Sequence, residues 1–372
     1  MGLGIIIKRN QQVDLNLTQQ VGSAEVYEKI DQATTYKIRF MIDICNEDIA
    51  ENIKGPFEPH TNLSIWAEVE DQLVCLVSGP VTKQEAHLEH GGAGSWIDVE
   101  GADVSHGLSL KVNKGVYHNI TDAEVVRKIL SDFKERNIRP DDIEPTPNSM
   151  HLEEDSSLNQ RQYDLDFIRK LAERNGFHFW VSFDNQENAV GHFRQRKLDS
   201  KPAAELLVNL DKNNIDNLRI NWDINRPTEV KGSQVNKRTT KVMNANATLE
   251  NETKLGGFGL KEIVGSKVQT LEISMPVDSE GELGVRLRAA LLKAHWFINA
   301  TCRTSLNRLC KLVQVHTLVN IQGAGSRHSG KYYVTGVKHT IDSVAHIMDL
   351  ELERNAWGTD AAGLQGLAKK IF

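Results

Sequence analysis

Three stretches carry the side chains that could do chemistry. His87-Leu88-Glu89-His90-Gly91-Gly92 places two imidazoles three residues apart with a carboxylate between them. A helical zinc hydrolase needs His-Glu-x-x-His, with its imidazoles four apart on one helix face. This run is one residue short and ends in glycines, so it reads as a polar turn. Asp141-Asp142 and Glu153-Glu154-Asp155 offer neighbouring carboxylates. Glycoside hydrolysis needs such a pair held across a sugar, whereas these flank prolines and serines and read as solvated loop. Gly256-Gly257-Phe258-Gly259 is glycine-rich, but the Lys-Ser/Thr of a phosphate loop does not follow. A Gly-x-Ser-x-Gly nucleophile turn is absent. His316, His328, His339 and His346 are scattered through strand-like and loop segments. The sequence therefore assigns no catalytic, cofactor-binding or metal-ligating residue.

The bulk properties, 40% apolar and 25% charged residues, are ordinary for a soluble globular protein. A net charge of −6 disfavours a general nucleic-acid binder. Cys45, Cys75, Cys302 and Cys310 form no Cys-x-x-Cys pair. Cys45 and Cys75 lie in or beside apolar runs and read as small core residues. The apolar run at Met1–Lys8 is too short for a secretory signal, so synthesis in the cytoplasm is expected. A chain of 372 residues suggests two or three domains.

The elements that must position these side chains are mostly strands. Tyr36, Ile38, Phe40, Ile42 and Ile44 alternate with Lys37, Arg39 and Asp43, giving one apolar and one wet face. Val13, Leu15 and Leu17 alternate as a first strand. Leu63 to Val69, Gln72 to Ser78, Val81 to Glu89 and Ser95 to Glu100 continue the pattern, and Gly79-Pro80 breaks or bends it. This is the meander of a barrel or sandwich.

The composition then changes. Thr121 and Glu124 form a capping box for a helix bearing Val125, Val126, Ile129, Leu130 and Phe133 and ending near Asn137. Pro140, Pro145 and Pro147 lead to Gln160–Arg194. There Asp164 caps a second helix, Asn175-Gly176 stops it, and a hairpin follows. Arg161, Arg169 and Arg174 read as helix-surface charges. Phe177, Phe179 and Trp180 read as core, not as a platform for stacked bases. From Asn214 the β pattern returns, with Leu218, Ile220, Trp222 and Ile224 opposite Arg219, Asn221 and Asp223. Residues 232–262 are polar: a long exposed loop, or a segment ordered by a partner. Val268 to Met275 reads as a strand. Ser279 and Glu282 make a second capping box, for a helix through Val285, Ala289, Leu292, Trp296 and Phe297. Leu312 to Ile321, Lys331 to Ile341 and Ala345 to Glu353 complete the strands.

Two parts of the chain echo each other. Val77-Ser78-Gly79-Pro80-Val81 with Trp96–Glu100 resembles Val334-Thr335-Gly336-Val337-Lys338 with Ile347–Glu351, and Asp98-Val99-Glu100 matches Asp349-Leu350-Glu351. The residues alone leave duplication and coincidence open.

The run Arg161–Phe177 resembles the core of phage late control protein D and of the VgrG spike proteins of type VI secretion. The ending Gly330–His339 with Leu350–Asn355 is similar to that family's closing hairpin. The resemblance covers 36–357 loosely and is specific at those two places. It implies a baseplate hub of a contractile injection machine, whose tail tube is built of six-subunit rings and whose spike is trimeric. It also gives weight to the echo, since such hubs carry two related barrels. VgrG chains continue into a needle and this chain does not, which implies a spike on a separate polypeptide.

These readings combine into one expectation. The fold is β-rich α+β, with two related tube-like β-barrel domains and a small α/β insertion domain. Residues 1–112 are the first barrel, 113–200 the insertion, 201–265 a β return segment and polar loop, 266–357 the second barrel and 358–372 a tail. The chain adapts the tube to the spike as a homotrimer, with spike, tube and baseplate chains as partners and no cofactor, nucleic acid or stable membrane insertion. It belongs to an assembled tail or injection particle: a phage, a bacteriocin or a cell-anchored system. Leu364, Leu367 and Ile371, followed by Phe372, give the tail an apolar side for binding a partner. A cell-wall-degrading tail-tip enzyme and a carbohydrate-binding module are the alternatives.

Overall fold

The computed structural model describes residues 4–42, 57–70, 72–90, 94–133, 137–147, 150–153, 158–235, 240–248, 252–275, 277 and 279–358. The first half contains β1 (Ile5–Arg9), β2 (Gln12–Val13), α1 (Leu15–Gln20), β3 (Val21–Lys29), β4 (Thr35–Met41), β5 (Asn62–Val69), β6 (Gln72–His87) and β7 (Trp96–Ala102). The alternation in β4 has the expected consequence. Tyr36, Ile38 and Phe40 are buried with Ile7, Val26, Ile65 and Val99, while Lys37 and Arg39 turn to the other face. Asp43 and Ile44 lie outside the described residues. Val13, Leu15 and Leu17 do not form one strand. Asp14 Oδ1 accepts the Leu17 N–H at 3.0 Å and starts α1 there. Gly79-Pro80 bends β6 without ending it: the strand pairs with β5 up to Pro80 and with β7 from Val81. A Cβ on Gly79 would lie 1.8 Å from the Ala102 carbonyl oxygen, so the crossing requires glycine.

The insertion contains β8 (Val112–Tyr117), α2 (Asp122–Asp132), β9 (Arg139–Ile143), β10 (Leu158–Tyr163), α3 (Asp164–Asn175), β11 (His178–Phe183) and β12 (Ala189–Arg194). Its core joins Val125, Ile129, Leu165, Ile168, Leu171 and Phe179. The Thr121–Glu124 capping box forms as read. Its helix ends at Asp132, before Asn137. Gly176, at φ +71, stops α3. Asp164 is not the cap of α3. Tyr163 holds that place without a side-chain bond, and Asp164 accepts instead from Asn113 at 2.7 Å and Gln160 at 2.5 Å. The carboxylate thereby ties α3 to β8 and β10.

The second half contains β13 (Ala204–Leu207), β14 (Ile215–Trp222), β15 (Glu229–Val235), β16 (Val242–Thr248), β17 (Phe258–Gly259), α4 (Leu260–Val264), β18 (Thr270–Ile273), α5 (Glu280–Ala294), β19 (Ile298–Ser305), α6 (Leu306–Leu309), β20 (Leu318–Gln322), α7 (Gly325–His328), β21 (Gly330–Asp342), β22 (His346–Arg354) and β23 (Ala356–Trp357). Much of the polar stretch 232–262 is ordered by the chain itself. β15 pairs with β16 and β18, and Val230 and Met243 pack on Leu283, Leu287 and Leu291 of α5. Ser279 caps α5 by accepting the Glu282 N–H at 3.1 Å, but the Glu282 carboxylate turns to Arg286, so the box is half made. Trp296 and Phe297 lie beyond the helix. Leu312 to Val315 precede β20 rather than extending it.

The largest sheet runs β14-β19-β22-β21-β3-β4-β7-β6-β5-β1-β2, with β20 on β21 and β13 on β20. The two halves meet edge to edge where β3 pairs antiparallel with β21. The fold is thus β-rich α+β with an α/β insertion, and each half curls around its own core. Among the described residues no sheet closes on itself, so the barrel-like halves are open.

Candidate functional site

The sheet face turned away from the two cores carries one constellation twice. In the first half Arg39 on β4 lies opposite Asp98 on β7. Its guanidinium donates through Nε at 2.7 Å and Nη2 at 2.9 Å, the forked geometry that suits a carboxylate. Lys37 Nζ is 2.8 Å from the same carboxylate and 3.4 Å from Glu100, which Lys83 also reaches at 3.1 Å. Burial alone would raise the Asp98 carboxyl, but the hydrogen bonds from Arg39 and Lys37 outweigh it and hold it below the usual range. In the second half Arg303 on β19 lies opposite Asp349 on β22 and forks onto it at 2.6 and 3.0 Å.

The register agrees beyond these pairs. In β6 an extra residue, Thr82, stands between the pairs Val81–Gly101 and Lys83–Glu100. In β21 an extra residue, Thr335, stands between Val334–Leu352 and Gly336–Glu351. Each bulge threonine donates its hydroxyl to the facing glutamate's carbonyl, Thr82 to Glu100 at 3.3 Å and Thr335 to Glu351 at 3.2 Å. A matched bulge on a matched ion pair is a repeat of structure. It also corrects the sequence alignment: Thr82 corresponds to Thr335, so Gly79 and Gly336 are not equivalent. The face continues across the junction of the halves. Tyr27 and Lys29 on β3 reach Glu351 at 3.2 and 2.9 Å, and Lys338 on β21 reaches Glu25 at 3.1 Å.

The residues first considered for chemistry are not brought together. His87 stacks on Trp96 and lies 3.4 Å from Glu89, and His90 is exposed. Among the described residues no His/Cys/Asp/Glu group could hold a metal. Asp142 is held by His192 at 2.7 Å and Arg194 at 2.9 Å, and Asp141 faces Arg139. Glu154 and Asp155 lie outside the described residues. Of the glycines at 256–259, Gly256 packs beside the wholly buried Arg354, whose guanidinium donates to the carbonyls of Leu255, Ser329 and Gly358. His339 and His346 are buried 3.0 Å apart, and burial pushes His346 down to about 3, so it stays neutral. His316 is half-buried and stacks on the Trp180 ring at 3.6 Å between centroids, and Trp180 is itself half-buried rather than core. Phe177 and Phe179 are core, as read. Cys75 and Cys302 are buried, and burial pushes the Cys302 thiol up to about 12. Cys45 and the tail residues Leu364, Leu367, Ile371 and Phe372 lie outside the described residues.

A cleft of about 890 Å³ separates the insertion from the second half. Three ion pairs lie along it: His178 with Asp31 at 2.9 Å, Arg196 with Glu353 at 2.6 Å and Lys293 with Glu173 at 2.9 Å. Sequence reasoning missed the buried polar residues. Arg174 is not a surface charge but grips Asp122, with His151 and Asn175 on the same carboxylate. An arginine at helical spacing carries no local mark of such a partner.

Solved structures share this fold over nearly the whole chain. A tail protein from Neisseria meningitidis MC58 superposes with a TM-score of 0.63 at 11% identity, covering 95% of this chain and 97% of its own. The 43 kDa tail protein of prophage MuSo2 from Shewanella oneidensis gives 0.64 at 13%, covering 94% and 98%. An E. coli protein described as a type VI secretion component, structurally similar to bacteriophage tail proteins, gives 0.58 at 11%, covering 95% and 78%. No curated protein matches. The fold is that of phage tail proteins. The Alg8 N-terminal domain family matches residues 7–343, and the chain belongs to that family. This is a different family from late control protein D, which the run Arg161–Phe177 resembles, so the likeness to late control protein D and VgrG holds at the level of the tail-protein fold. Among the described residues no helix is long and apolar enough to cross a membrane.

Proposed function

We propose that the chain is a structural baseplate hub of a contractile injection machine, joining a six-fold tail tube to a trimeric spike. The observation that carries this reading is the repeat of Arg39–Asp98 and Thr82 by Arg303–Asp349 and Thr335 within one tail-protein fold. Two like sheet halves per chain turn three copies into a ring of six similar faces, and the same ring keeps true three-fold symmetry for the spike. A closed ring also covers strand edges that would otherwise pair without control. The polar face then lines a wet channel, and its paired charges leave that channel without a strong field of either sign. The partners are the spike, the tube and other baseplate chains. The particle is an assembled phage tail or a related injection system, with the chain itself made in the cytoplasm. Leu364, Leu367, Ile371 and Phe372 dock the tail on a neighbouring subunit or on the spike. Deleting residues after Gly358 should then weaken spike recovery in a pull-down.

We read the protein as non-catalytic, because two acids of the cleft, Glu353 and Glu173, are paired with Arg196 and Lys293 across the gap between the insertion and the second half. Light scattering on the pure protein and on its mixture with the spike tests the hub reading. A trimer in either sample is expected, and a monomer or dimer in both would overturn it. Zymography on bacterial cell walls should show no clearing; clearing would favour a wall hydrolase.

A further inference from the structure

The junction inside the chain has a counterpart in two strand edges elsewhere in the sheet. β3 and β14 are equivalent strands. β3 pairs with β4 through a bulge at Gly22, between Val21–Phe40 and Ser23–Arg39. β14 pairs with β19 through a bulge at Asp216, between Ile215–Thr304 and Asn217–Arg303. The bulges fall at the same step beside the two equivalent arginines, so Ala24, Glu25, Val26 and Tyr27 correspond to Leu218, Arg219, Ile220 and Asn221. The far edge of β3 is covered by β21, with Lys338 opposite Tyr27 and Ile341 opposite Ala24. The strand equivalent to β21 is β6, so the strand that should cover β14 is the outer part of β6. Among the described residues β14 pairs only with β19, and β6 beyond Val81 only with β7. Among the described residues both edges are therefore open, on opposite sides of the β3–β21 junction.

We propose that a second copy of this chain fills that place: the outer part of its β6 from Lys83, continued by Leu88 just past the strand's end, adds antiparallel to β14, with Glu85 opposite Asn221, Ala86 opposite Ile220 and Leu88 opposite Leu218. This rests on the hub reading above and specifies its subunit contact. Two further observations favour this occupant. Ile341 and Ala24, which meet at the inner junction, are wholly buried, whereas Leu88 is 48% exposed and its predicted partner Leu218 is half-buried. The apolar pair is thus complete at the inner junction and split between two separate strand edges. The charges also fit. At the inner junction Lys338 pairs diagonally with Glu25 at 3.1 Å. The corresponding residues are Glu85 and Arg219, opposite in sign again but with the signs exchanged. Lys83 comes level with Asp223. The contact is head to tail, so it builds a ring where the rotation closes.

Disulfide trapping tests the register on the full chain with Cys310→Ser. Directly opposed residues in an antiparallel pair lie at about 4.5–5.5 Å between Cα atoms, within disulfide range. Glu85→Cys with Asn221→Cys should give a reducible covalent ladder on oxidation. Lys83→Cys with Asn221→Cys, shifted by two residues, should not. Separately, Glu85→Arg or Arg219→Glu alone should weaken self-association about three- to tenfold, and the two together should restore it. An oligomer by light scattering without the in-register ladder, or without recovery in the double variant, would overturn this contact and leave the hub reading standing. A chain that stays monomeric both alone and with the spike, and forms no ladder, would overturn both.

Discussion

Arg174, at the end of α3, donates from Nε to Oδ2 of the fully buried Asp122 at 2.5 Å, locking the two helices of the insertion together. Burial would raise the Asp122 carboxyl, but hydrogen bonds from His151, Arg174 and Asn175 outweigh it and hold it at about 2. Arg174→Ala would leave that carboxylate buried beside only His151 and Asn175, and should cost about 3–5 kcal/mol in urea unfolding.

The same group makes the insertion acid-sensitive. An unfolded aspartate titrates at about 3.9, so the folded value is depressed. Its contribution, roughly 2 kcal/mol, is present above the unfolded value and lost as pH falls through about 2. Unfolding midpoints measured from pH 5 down to pH 2 should fall in the wild type. They should fall less steeply in Asp122→Asn.

The two repeated ion pairs should differ in weight. Asp98 is 1% exposed and takes both Arg39 and Lys37, while Asp349 is 37% exposed. Asp98→Ala removes the charge-assisted hydrogen bonds of a buried carboxylate to two partly exposed cations and should cost about 1.5–3 kcal/mol. Asp349→Ala breaks a solvated pair and should cost about 1 kcal/mol or less. Equal losses in chemical denaturation would contradict this.

Gly79 and Gly336 should also part company. A methyl group at Gly79 runs into the Ala102 backbone, whereas at Gly336 it meets only the Glu351 side chain at 3.1 Å. Gly79→Ala should cost about 3 kcal/mol or more and Gly336→Ala less than about 1 kcal/mol, read from thermal melts.

Hydrogen exchange on the isolated protein should show slow amides in 230–235 and 242–247. These lie in the β15–β16 ladder over the apolar side of α5. Exchange at the rate of a free loop would mean that the hairpin does not hold without a partner.

How much of this could be read from residues alone depended on how local the cause was. Tyr36–Ile42, the stop at Gly176 and the Thr121 box are set by neighbours within a turn or a pleat, and they appear as read. The hairpin over α5 did not show, because Gly232, Ser233, Asn244, Ala245 and Asn246 supply backbone pairing rather than bulk. Their packing comes from Leu283 and Leu287 far along the chain. Leu15 and Leu17 misled because one aspartate, Asp14, decides for helix over strand. The repeated ion pairs were half visible: Asp98 and Asp349 stood in the echo, but their arginines lie on strands whose sequences do not resemble each other. The bulge at Thr82 and Thr335 could be aligned only from the pairing.

The pairing of β3 with β21 sets an order of events during synthesis. Lys29 leaves the ribosome long before Gly336, its partner across the junction. At about 5–20 residues per second, the roughly 300 residues between them take about 15–60 s to make. For that time β3 is a finished strand with one naked edge, and the first half cannot complete its sheet on its own. Pairings so distant in sequence are also slow to form. The nascent chain is therefore most prone to aggregate just before its final hairpin emerges, and that hairpin is the part that removes the risk.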